Sequence, residues 1–181
     1  MRVYKSVLVV LAFLTFSILF PHNSEAYTKP NDVQGWEKLK WGMSSGEVQG
    51  VLGKDVKKRE IRHDEKDGVY TELEMLNIKI GGSKFRASLW MDQDTKELSR
   101  IVFVPEVKTA DYHWAKTFIS LENSLVDRYG IPDVENTTND PGTSAERIWN
   151  FPSTEIEMSY LKIDDSELLL LVFSERGNSP G

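Results

Sequence analysis

The stretch that decides the architecture is Trp36 to Gly53, WEKLKWGMSSGEVQGVLG. Ser44 is a strong helix N-cap, and Glu47 three residues later completes an S-x-x-E capping box, so a short helix starts here with its first backbone donors satisfied. Val48, Val51 and Leu52 form the expected apolar stripe, and Gly53 offers the left-handed position that stops the helix. So short a helix is held only by packing, with Trp36, Leu39, Trp41 and Met43 as its nearest partners. A second stretch, Phe118 to Pro132 (FISLENSLVDRYGIP), ends the same way, at Gly130 and Pro132. In the helix leading to it, Trp114, Phe118, Leu121, Leu125 and Tyr129 recur at helical spacing and predict one buried face.

Three strand-like runs are expected after each of these helices. After the first, Leu73 to Ile80 alternates with a slip of phase at Met75-Leu76, which predicts a bulge, and Gly81-Gly82 predicts a tight hairpin turn. Phe85, Ala87, Leu89 and Met91 alternate cleanly; Asp92 to Lys96 reads as a turn, and Leu98 to Val104 as a strand ended by Pro105. After the second helix the runs are Arg147 to Phe151, Glu155 to Ile163 and Glu167 to Ser174. Lys57 to Gly68, almost wholly charged, reads as an exposed loop or a hairpin edge, and Asn136 to Ser144 as a polar loop. The expected fold is therefore α+β: two helix-βββ units, as pseudo-repeats over about 36–105 and 109–175, forming an antiparallel sheet with its helices on one face.

Residues 1 to 26 read as a cleaved signal peptide. Arg2 and Lys5 precede an apolar run from Val7 to Phe20 that is too short to span a bilayer, and Ser24 and Ala26 place the cut before Tyr27. Cleavage leaves 27–181 as one α+β domain. It removes two cations and one anion, so the formal charge moves from −6 to −7. An acidic chain whose main basic cluster is Lys57-Lys58-Arg59 is a poor nucleic-acid ligand. The absence of cysteine excludes disulfides, thiol chemistry and acylation at cysteine.

Trp41 to Gly53, as Trp-Gly-Met-Ser-x-x-Glu-Val-x-x-x-Leu-Gly, resembles the helix-turn segment of small bacterial envelope domains of the BamE/SmpA and β-lactamase-inhibitor-protein-like group. That resemblance covers about a tenth of the chain. It implies a helical pair packed on a short antiparallel sheet and a scaffold or inhibitor-like role in binding protein; it brings no catalytic residues. The acylated cysteine of the lipoprotein members is missing here, and the proline that often follows the glycine is found only in the second stretch, as Pro132.

Motifs for chemistry are wanting. His63 sits in the charged run Arg62 to Asp67, and His113 and Asp111 are two apart on a helix, too divergent for a dyad. Asp92-x-Asp94 lacks the remaining pattern of a calcium loop. Asp164, Asp165 and Glu167 are carboxylates that nothing singles out. No cofactor or metal is expected, and the chain reads as an exported, non-catalytic module that binds an envelope protein; a binder of a small apolar or carbohydrate ligand is the alternative, and an unrecognised hydrolase ranks below both. The candidate partner-binding residues are Trp90, Lys84 and Arg86, which share the face of their strand opposite Phe85 to Met91. Leu168 to Phe173 and Ile101 to Val104 are apolar on both faces, so that outer face needs a cover: a dimer mate, the N-terminal lead-in or a partner protein.

Overall fold

The computed structural model describes residues 29–106, 114–139 and 142–177. The expected signal peptide and His113 lie outside them. Among the described residues no helix is long and apolar enough to cross a membrane.

The chain opens with a two-stranded ribbon, β1 (Gly35–Trp36) and β2 (Leu39–Lys40), followed by α1 (Ser45–Leu52). The capping box forms as expected. Glu47 N–H donates to Ser44 Oγ at 3.4 Å, and Ser44 N–H donates to the Glu47 carboxylate at 2.8 Å. Only Val48 of the expected stripe is fully buried; Leu52 is half-buried and Val51 is exposed. A 3-10 turn, Gly53–Asp55, leads into β3 (Val56–Asp64), β4 (Val69–Ile80), β5 (Ser83–Asp92) and β6 (Leu98–Pro105). Then come α2 (Trp114–Tyr129), β7 (Val134–Thr138), β8 (Thr143–Asn150), β9 (Thr154–Ile163) and β10 (Ser166–Glu175).

The last eight strands make one antiparallel sheet in the order β3-β4-β5-β6-β10-β9-β8-β7. This corrects the expected α+β layout. Among the described residues the protein is mostly β, with ten strands against two α-helices of 8 and 16 residues, and each helix is followed by four strands where three were expected. Helix-βββ units are therefore not its building blocks, and no internal repeat follows from them. The two strands beyond the expected runs are the sheet edges: β3 takes the hairpin-edge alternative of the Lys57 to Gly68 reading, and β7 runs into the expected polar loop. In β3 every residue from Lys57 to His63 is exposed, and in β7 every residue after Val134 is. A strand with both faces in water carries no hydrophobic period, so its sequence looks like a loop, and charge on an edge also deters pairing with other chains.

One face of the sheet holds the core. Phe85, Ala87, Leu89 and Met91 of β5 point there and are wholly buried, as their alternation predicts. Ile101 and Phe103 of β6, Leu171 and Phe173 of β10, and Ile156 and Met158 of β9 continue the same layer. Onto it pack α2, through Trp114, Phe118, Leu121, Leu125 and Tyr129, and the β1–β2 ribbon, through Trp36 and Leu39. Trp36 meets Phe103 edge-on at 5.0 Å between ring centroids, and Phe103 meets Phe173 at 5.8 Å. A half-buried ion pair, Arg147 Nε to Glu122 Oε1 at 2.5 Å, ties β8 to α2. The slip at Met75-Leu76 is a true irregularity of register between Met75 and Ile78, with Asn77 at φ +57°.

Candidate functional site

Among the described residues the opposite face of the sheet carries no helix, and its residues follow from register alone. On β5, Trp90, Ser88 and Arg86 alternate with the core set, so they point away from α2. Their neighbours on β6 are Arg100, Val102 and Val104; further across, Arg100 pairs with Ser174 and Val102 with Val172. On β9 the row continues through Glu155, Glu157 and Ser159, and on β8 through Asn150, Ile148 and Glu146.

β4, β5 and β6 with the edge strand β3 shape a bowl of about 600 Å³. Arg59, Arg62, Arg86 and Trp90 form its wall, with Val102 and Val104 on its floor. Glu74, buried on β4, is held by Arg59 Nε at 2.6 Å. Arg100 Nη1 pairs with Asp67 Oδ2 at 2.7 Å, and the carboxyl of Asp67 is held below its ordinary range by that guanidinium, first through the hydrogen bond and then through its charge. Among the described residues Arg62 makes only a long contact, 3.5 Å, to Ser88 Oγ. Arg86 and Lys84 have no ion-pair partner among the described residues, which leaves Arg62 and Arg86 available to a ligand in the bowl.

Of the three candidate residues, Trp90 and Arg86 meet in this bowl, whereas Lys84 is half-buried beside it, paired in register with Lys79. Trp90 is also only half-buried, yet its indole N–H is shut off from solvent and meets no acceptor. An orphan buried donor costs about 1–3 kcal/mol, which offsets part of what burial of the indole ring contributes. The two arginines of β3 lie in the charged run read as an exposed loop or a hairpin edge, and no hydrophobic period there assigns them to a face; the register Arg62 to Thr71 to Trp90 is what brings them into the bowl.

The remaining sequence candidates do not assemble into chemistry. His63 is exposed on the edge strand with its ring 6.0 Å from Tyr70. Glu167 accepts the Trp114 backbone N–H at 2.8 Å and so anchors the start of α2. Asp92 Oδ1 accepts the N–H groups of Asp94 and Thr95 at 2.9 and 2.8 Å, which makes it the organiser of the β5–β6 turn. A second hollow, of about 490 Å³, lies on the other side of the sheet between the 3-10 turn and β4, lined by Trp36, Leu52, Met75, Leu76 and Ile78 with Lys54, Asp55 and Lys57 at its mouth. No family model matches the chain, and no curated protein or solved structure matches it either.

Proposed function

We propose that this chain is an exported, non-catalytic protein-binding module of the bacterial envelope, scaffold or inhibitor-like, that holds its partner on the helix-free face of the sheet. The observation that carries the reading is the bowl in which Trp90 stands among Arg62 and Arg86 over an aliphatic floor. An aromatic anchor with arginines at a concave, partly apolar surface is the composition of an interface hot spot. The resemblance of Trp41 to Gly53 to envelope domains points in the same direction. The test compares the wild-type chain with Trp90→Glu in affinity capture from an envelope extract. Trp90→Glu keeps its circular dichroism and melting but loses its captured partner by at least tenfold; a folded Trp90→Glu that captures the same protein equally well overturns the proposal.

The hollow beside Trp36 favours a second reading, a site for a small apolar ligand. Titration calorimetry with a medium-chain alcohol tests it: binding that disappears in Leu76→Arg supports it, and the absence of binding heat to the wild type removes it.

A further inference from the structure

The charges of the helix-free face are divided between its halves. On β3 and β5 the three cations Arg62, Lys84 and Arg86 outnumber one carboxylate, Glu60, which also lines the bowl, and none of the four has an ion-pair partner among the described residues; on β8 and β9 the same is true of the carboxylates of Glu146, Glu155 and Glu157. The polar contacts these carboxylates make are to neutral groups: Ser159 Oγ donates to Glu157 at 2.6 Å, and Asn136 Nδ2 donates to Glu146 at 2.8 Å. Arg176, at the rim, is bound to Asn150 Oδ1 at 3.1 Å. Between the two halves runs an aliphatic seam, Val102 and Val104 of β6 beside Leu170 and Val172 of β10, with Leu168 and Leu161 exposed at its end. A surface basic on one side, acidic on the other and apolar in the middle is complementary to itself.

We propose that a second copy of this chain docks on this face, the two related by a two-fold axis that lies in the interface and runs along the β6–β10 seam. It rests on the reading of this face as a docking surface and names what covers it when no other partner does. An isologous contact must place each patch against its complement, and only an axis parallel to the strands does so here; an axis across the strands would set cations on cations. With the axis along the seam, β9 of one copy lies over β5 of the other and the strands remain aligned, as in face-to-face sheet packing. The register then makes specific pairs. Val102 faces Val172 of the second copy, Glu155 of the second copy comes over Trp90 beside Arg62, and its Glu157 comes over Ser88 between Trp90 and Arg86. At the strand and residue spacings of a sheet, six strands and three to four rows cover roughly 600–700 Å² on each copy, and the total of roughly 1,200–1,400 Å² falls in the range of specific interfaces.

The test is a charge swap read by sedimentation velocity. The purified protein at tens of micromolar and low salt runs as a dimer that dissociates as salt is raised, since the rim pairs are screened. One variant carries Arg62→Glu and Arg86→Glu, the other Glu155→Lys and Glu157→Lys. Each alone faces like charge with like and runs as a monomer; mixed in equal amounts they form a heterodimer, which also shows that both are folded. A monomeric wild type, a variant that still dimerises alone, or a mixture that stays monomeric overturns the proposal. Should either doubly reversed chain fail to melt cooperatively, the neutral variants Arg86→Gln and Glu157→Gln decide: dimerisation at least tenfold weaker in each supports the interface, and unchanged dimerisation overturns it. A monomeric wild type that still captures an envelope protein through Trp90 sinks the dimer and leaves the binding module standing, whereas a dimer that captures nothing supports the dimer and overturns the module.

Discussion

Phe118 shows how a single side chain reports on the core. It is 5% exposed on α2, its ring 5.9 Å from that of Tyr160, with the Arg147 guanidinium 5.4 Å above it. Phe118→Ala removes that contact and leaves a cavity between helix and sheet, so we expect a loss of about 3–5 kcal/mol in denaturant unfolding; a loss well under 1 kcal/mol would mean that the site collapses around the smaller side chain. Tyr129, one face further along the same helix, makes a prediction about pH. Burial pushes its phenol up to about 12, opposed by the charge of Arg128 and reinforced by Glu37. A group raised in the folded state stabilises fully below its unfolded pKa, so that contribution is present below about pH 10 and is lost as pH rises through the folded value, on the order of 2–3 kcal/mol in all. Tyr129→Phe should flatten the fall in stability across that window, measured by urea melts from neutral pH upward; an unchanged slope would mean that Tyr129 does not titrate with unfolding.

At the scale of elements, the β4–β5 hairpin is joined to α2 through backbone contact. Gly81 and Gly82 both have positive φ, +55° and +78°, as a two-residue hairpin turn of the I′ type demands. Gly81 has a further constraint. A Cβ there would stand 2.7 Å from the Ser120 carbonyl oxygen, so the turn is pressed against the helix. Gly81→Ala should cost about 1–3 kcal/mol from the backbone conformation alone, with helix displacement on top, whereas Gly82→Ala meets open space and pays only the first of these. Melting temperatures of the two variants check this, and equal losses would rule out the helix contact.

At the scale of the whole molecule, the chain's two halves meet where β6 pairs with β10, and their cores are continuous through Ile101, Phe103, Leu171 and Phe173. We expect one unfolding transition. Phe103→Ala, losing about 3–5 kcal/mol, should lower the protection of amides in β4 and in β9 together in hydrogen exchange; protection lost in one half alone would show that the halves unfold separately. The helix-free face belongs to this scale too, because neither its bowl nor its charge division exists within one strand.

The sequence by itself determined the elements whose residues face two different environments. The capping box of α1, the buried face of α2, the alternation of β5, the bulge after Met75 and the turns at Gly81-Gly82 and Asp92 were legible because burial on one side leaves a period, and a turn leaves a glycine or a capping carboxylate. Trp90, Lys84 and Arg86 could be assigned to one face from the same alternation. Only the tertiary structure decided that Lys57 to Asp64 and Val134 to Thr138 are strands, since an edge strand is fixed by hydrogen bonds to its neighbour and leaves its side chains in water. It also decided which residues meet across the sheet. Arg62 is 28 positions from Trp90 and comes beside it through the register of β3, β4 and β5; Val102 and Val172 touch because β10 returns to pair with β6. Pairing between distant strands is set by the whole core packing on one face, and no local pattern encodes it.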